Sequence, residues 1–186
     1  LSKENVIALV VESTYSSDQR KMPSEQVAKE MLRDVLLGTD NNDNLIVVTT
    51  FSSHMARLKS IIEFGKKLNR KIIFLGRSLA KYVKSAENVG IVNFSKDVEI
   101  VKYSKQIERK LRKVDKDRKK YLLVTTGHQG EPKSVLHRIA KKEFKFNLYP
   151  EDNVVFSCRT IPTPTNIGNR EALENELKQN GVRIFK

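Results

Sequence analysis

The stretch Tyr121-Leu-Leu-Val-Thr-Thr-Gly-His-Gln-Gly-Glu-Pro132 joins a short apolar run of strand length to a turn that contains Gly127 and Gly130. A turn of this kind can present a ring of backbone N–H groups, which suits a phosphate, although the same turn also serves as plain punctuation after a strand. Its surroundings favour the phosphate: the chain carries 35 Lys and Arg against 22 Asp and Glu, a net charge of +13. The natural phosphate-bearing partner of such a chain is a polyanion, with RNA first. The basic run at 105–120, KQIERKLRKVDKDRKK, is a candidate rail for that polymer, flanked by Tyr103 and Tyr121, which could stack bases. Its interspersed acids favour a solvated helical face instead.

Other residues of the right type lie near predicted strand ends. Glu12 closes an apolar run, where an ionised carboxylate is costly to bury without a partner; an exposed cap and a functional acid are both open. Arg77, in LGRSL, follows a strand and a glycine, a place from which a guanidinium can bridge phosphates bidentately or form a structural ion pair. Ser53 lies in TTFSSH, and Ser157 and Arg159 flank Cys158 in FSCRTIP; the cysteine itself reads as a small buried side chain. His54, His128 and His137 lack HxxxH or HxHxDH spacing, so no metal site is predicted from them. Neither a GxxxxGK[ST] loop nor a GxGxxG fingerprint is present, which leaves little support for a nucleotide cofactor.

Positioning these residues requires a scaffold. Apolar runs at 6–11, 45–50, 72–75, 98–103, 121–126, 153–157 and 182–185 alternate with segments of helical spacing. That alternation predicts a single α/β domain over 1–186, doubly wound, with a mainly parallel sheet and helices on both faces. Ser24 should cap a helix that buries Val27, Ala28, Met31, Leu32, Val35 and Leu36 and stops at Gly38. A second helix from Ser52 or Ser53 should bury Met55, Leu58, Ile61, Ile62 and Leu68 and point Arg57 and Lys59 outward. In such folds ligands collect beyond the carboxyl ends of the strands, so the loops at 12–17, 49–54, 125–131 and 157–160 are expected to converge on one edge. One cysteine cannot form an internal disulfide and fits a reducing compartment, with the cytoplasm as default. No apolar run approaches the roughly 20 residues of a membrane span, so no membrane partner is expected.

Several motifs, in order, carry a family resemblance: ESTYSS at 12–17 with PSE at 23–25, TTFSSHMARLKSII at 49–62, LGRSL at 75–79, TTGHQGEP at 125–132 and VVFSCRTIPTPTNIGNR at 154–170. Together they resemble the β-CASP domain of ribonuclease J, in its archaeal form, and they touch nearly the whole chain. The resemblance implies a Rossmann-like domain that clamps single-stranded RNA by its backbone and 5′ phosphate. Ser53, Arg77, Gly127, His128, Gln129, Gly130, Ser157 and Arg159 are the phosphate-facing candidates. It further implies that Glu12 orients a catalytic histidine lying outside this chain, and that two zinc ions belong to a metallo-β-lactamase domain of the same polypeptide. This chain would then be an excised fragment of a 5′-to-3′ exoribonuclease, inactive alone, with a homodimer plausible for the parent. A non-catalytic RNA-binding or assembly domain and a small mononucleotide enzyme are the alternatives. The chain departs from the family pattern at His128, where serine is common, and at Cys158 and Arg159, which replace smaller residues.

Overall fold

The structure, a computed structural model, describes residues 5–11, 13, 16–17, 19, 23–41 and 43–186. Helix α1 (Glu25–Gly38) leads into strand β1 (Ile46–Thr49), followed by α2 (Met55–Lys67), β2 (Lys71–Leu75), α3 (Arg77–Asn88), β3 (Val98–Val101) and α4 (Ser104–Val114). The second half contains β4 (Tyr121–Thr125), α5 (Val135–Ala140), β5 (Asn153–Phe156), α6 (Pro164–Gln179) and β6 (Arg183–Phe185). The six strands among the described residues are all parallel, in the order β3-β2-β4-β1-β5-β6.

The central strands β1, β2 and β4 read as apolar runs because both faces of the sheet are covered there. On one face Ile46, Val48, Ile72, Phe74, Leu122 and Val124 pack against Leu32, Leu36, Leu58, Ile61, Phe64, Leu79 and Val83 of α1, α2 and α3. On the other, Val47, Ile73, Leu75, Leu123, Val154 and Phe156 meet Ile107, Leu111, Leu136, Ile139, Leu173 and Leu177 of α4, α5 and α6. Each fully buried aliphatic side chain contributes roughly 1.5–3 kcal/mol of transfer free energy. Ser24 caps α1 by accepting the Val27 N–H at 3.3 Å, as its type and position predict.

The amino edge of the sheet is closed by buried cations. Arg70 donates to the carbonyls of Asn41, Asn44 and Tyr121. Arg118 bonds Asp152 at 2.5 Å and lies 3.7 Å from the Tyr149 ring centroid. Asp152 also accepts the amides of Leu45 and Tyr149. The run at 105–120 is therefore not solvated throughout, because Arg118 turns inward to two carboxylates that sequence proximity only half reveals.

Two further expectations are corrected. Residues 5–11 form no strand, and Ile7 and Val10 are 96% and 97% exposed. Apolar character makes a strand only beside a neighbour with free backbone groups, and neither β3 nor β6, the edges of the sheet, receives this segment. Helix α1 buries Leu32 and Leu36, whereas Val27 and Met31 remain exposed.

Candidate nucleic-acid interface

Strand order places the loops. From β1 the chain crosses β4 to reach β2, while from β4 it crosses β1 to reach β5, so connections leave these adjacent strands in opposite directions. In open α/β sheets a switch point of this kind is where a crevice forms outside the carboxyl ends of the strands and where ligands bind. Parallel register holds Leu75, Thr125, Thr49 and Phe156 level across the four central strands. The loops starting at 76, 126, 50 and 157 consequently share one edge.

Side chains lock three of those loops together. The Phe51 ring meets His128 edge-on at 3.9 Å between centroids. Gln129 Nε2 donates to the Arg159 carbonyl at 3.0 Å, and its Oε1 accepts the Ile161 N–H at 2.7 Å, so one buried amide staples two loops. Thr50 Oγ1 donates to the Ser157 carbonyl at 3.4 Å. Arg57 donates to that carbonyl and to Ser157 Oγ, the latter at 2.8 Å, and grips both oxygens of Glu25 at 2.8 and 2.9 Å. Arg57 was expected to point outward; it is buried because its fork finds a carboxylate on α1 and a carbonyl after β5. Burial opposes ionisation of Glu25, but the Arg57 hydrogen bonds and charge, helped by His54 at 3.3 Å, hold the carboxyl below its usual range.

The glycine turn is held from behind. Gly130 adopts φ +74° and approaches α6 so closely that a Cβ there would lie 2.3 Å from the Asn169 carbonyl carbon and oxygen. A Cβ on Gly127, at φ +119°, would meet Ser134 Oγ at 2.6 Å. Arg170 of α6 donates to the His128 carbonyl at 2.7 Å, pairs with Glu174 at 2.7 Å and stacks on Phe156, 3.3 Å from the ring centroid. Two amides of the turn are already occupied: Gly130 N–H bonds the Gly127 carbonyl, and Gln129 N–H bonds Glu131 Oε2, both at 3.0 Å. The ring of donors expected from the sequence is thus partly satisfied from within. An anion reaches Gln129 N–H only by displacing the Glu131 carboxylate.

His128 is buried at 5% exposure, with neither ring nitrogen hydrogen-bonded among the described residues. Burial depresses its pKa, Glu131 opposes the shift and Arg170 adds to it. Because an unfolded histidine titrates near 6.5, the unfolded chain takes up a proton first, and this contribution to stability falls as pH drops below about 6.5. We expect the urea midpoint of the parent chain to decline more between pH 7 and 5 than that of His128→Ser. Equal declines would show that the ring is not desolvated.

The remaining candidates are distributed as follows. Ser53 is exposed in the loop after β1, and Arg77 is exposed as the first residue of α3, next to the glycine turn through Gly76. Ser157 is buried under Arg57, and Arg159 is exposed beyond it. Burial pushes the Cys158 thiol up to about 12, which makes it an inert neighbour. Glu12 lies outside the described residues, as do Thr14 and Tyr15 of its loop. Sequence reasoning passed over Arg57, Glu25, Thr50, Phe51 and Arg170. Only Arg170 left a signal, its i,i+4 spacing from Glu174.

A doubly wound parallel sheet whose switch-point loops are mutually stapled defines a Rossmann-like α/β domain. Residues 43–179 match the family described as ribonuclease J, beta-CASP domain, and the chain belongs to that family. It is 42% identical over its whole length to the ribonuclease J of Pyrococcus abyssi, covering 41% of that protein, and 42% identical to the ribonuclease J of Methanocaldococcus jannaschii, covering 42% of it. The ribonuclease J of Sinorhizobium meliloti is 30% identical and 30% covered. The chain therefore spans about two fifths or less of these relatives. No helix among the described residues is long and apolar enough to cross a membrane.

Proposed function

We propose that this chain is the substrate-gripping part of a zinc-dependent ribonuclease that degrades RNA from its 5′ end. The family match across residues 43–179 carries the reading. Among the described residues no group of three His, Cys, Asp or Glu side chains could hold a metal ion. The metal-bearing part is assigned to a metallo-β-lactamase domain of the same polypeptide, with Glu12 orienting a histidine there.

The chain's own residues bind and orient. Arg77 and Arg159 bring exposed cations to the carboxyl edge, where they grip phosphate without reading bases, and the turn at Gly127–Gly130 adds a backbone contact once the Glu131 carboxylate gives way at Gln129 N–H. An enzyme that steps along any RNA needs that indifference to sequence. Gln129, Arg57 and Arg170 are positioning residues, because they act through the loops they hold.

Labelled RNA with a 5′ monophosphate, incubated with the purified chain and zinc, tests the division of labour. The expected result is binding that weakens steeply with salt, without cleavage. Robust zinc-dependent cleavage by the chain alone would overturn it, and salt-independent binding would point to a different ligand.

A further inference from the structure

The basic segment after β3 is not used by the crevice just described, and the way its charges are paired is informative. Residues 102–120 contain ten Lys or Arg and three Asp or Glu, a surplus of seven out of the chain's +13. The fold pairs half of these cations: Lys110 with Glu99, Arg112 with Glu108, Arg118 with Asp115 and Asp152, Lys119 with Asp43, and Lys120 with Asp117. Lys105, Arg109 and Lys113 are exposed and have no ion-pair partner among the described residues.

These three follow one another at i, i+4 and i+8 on α4, opposite the buried Ile107, Leu111 and Val114. Four helical residues advance about 6 Å, so the cations form a regular ladder along the helix axis. Beside the ladder runs a shallow groove of about 310 Å³ against edge strand β3, lined by Gln106, Arg109, Lys110 and Lys113 together with Glu99, Ile100 and Val101. Tyr103 stands at its head, 54% exposed, with Lys102 5.1 Å from the ring centroid. That head lies at the carboxyl edge, and Arg138 of α5 ties it to the helix following the glycine turn by donating to Ser104 Oγ at 2.9 Å.

We propose that Lys105, Arg109 and Lys113, headed by Tyr103, form a second contact line for single-stranded RNA, leading the strand away from the crevice. A positively charged groove that tracks the backbone, with an aromatic platform for a base, is the combination that holds single strands without sequence preference. The proposal rests on the reading that RNA is the substrate. It adds that affinity grows with RNA length beyond what the strand-end loops hold.

The test uses the intact polypeptide and two non-cleavable 2′-O-methyl oligonucleotides, one short enough to fill only the crevice and one long. The substitutions Lys105→Gln, Arg109→Gln and Lys113→Gln are combined in one variant, all at solvent-facing positions. Affinity for the long strand should fall by about tenfold or more at low salt, and the slope of log affinity against log salt should shrink by about two, since three single-strand phosphate contacts are lost. Affinity for the short strand should not change. Tyr103→Ala should weaken the long complex and leave its salt slope intact. If the unmodified protein binds both oligonucleotides and the triple variant keeps the same slope, the ladder does not touch RNA. If the unmodified protein binds neither, the RNA reading itself fails along with the ladder.

Discussion

Replacing Gly130 with alanine is expected to destabilise the domain by roughly 3–5 kcal/mol and to weaken RNA binding, because a left-handed backbone and a backbone-to-backbone clash are combined at one atom. The added methyl group would lie 2.3 Å from the Asn169 carbonyl and 2.5 Å from the Arg170 amide nitrogen, at φ +74°. No side chain can rotate away to relieve this. Either the turn leaves α6, carrying His128 and Gln129 with it, or α6 shifts on the sheet. Gly168 is the internal control: it lies in the same helix, and a Cβ there meets nothing within 4 Å. Gly168→Ala should be neutral or stabilise by about 0.5–1 kcal/mol through reduced backbone entropy. Thermal denaturation and RNA anisotropy on the two variants decide the matter, and equal behaviour would show that the tight approach at Gly130 is unimportant.

Arg170→Met should be nearly as severe. Arg170 and Glu174 are 5% and 6% exposed, and breaking a buried pair from one side typically costs about 3–5 kcal/mol. For a chain of this size that corresponds to a fall in Tm on the order of 10 °C. Glu174 would keep only Lys186, and the His128 carbonyl would lose its donor. Arg170→Met combined with Glu174→Leu separates the two consequences. Two apolar side chains can pack where the ions did, so stability should largely return. Affinity for RNA should stay low, since nothing then holds the His128 carbonyl. Recovery of both properties would show that Arg170 serves stability alone.

The fold was legible because a parallel sheet buried on both faces writes itself as apolar runs. Six of the seven runs became strands, and Ser24, Leu32, Leu36 and Leu58 lie where spacing puts them. The run at 6–11 failed because hydropathy does not specify a pairing partner. At the site, glycines were informative through their conformational role, whereas the buried arginines were hidden. Arg57 looks like any helix-surface cation until Glu25 and Ser157, 32 and 100 residues away, arrive around it. Likewise Arg118 is ordinary in a basic run until Asp152 is placed beside it. Charge partners far apart in sequence leave no periodic trace, so a cation's burial follows from the fold and cannot precede it.

The position of β4 in the sheet bears on how the chain reaches its native state. Strands β1 and β2 are made first but never touch; each bonds to β4, which is synthesised about 50 residues after β2 begins. Until residue 125 leaves the ribosome, the two apolar ribbons have facing edges with nothing between them. Wrong pairing of β1 with β2 is the natural kinetic trap. Non-local pairing of this kind is slow to form, and strand edges left unpaired in the meantime are the surfaces through which a nascent chain aggregates.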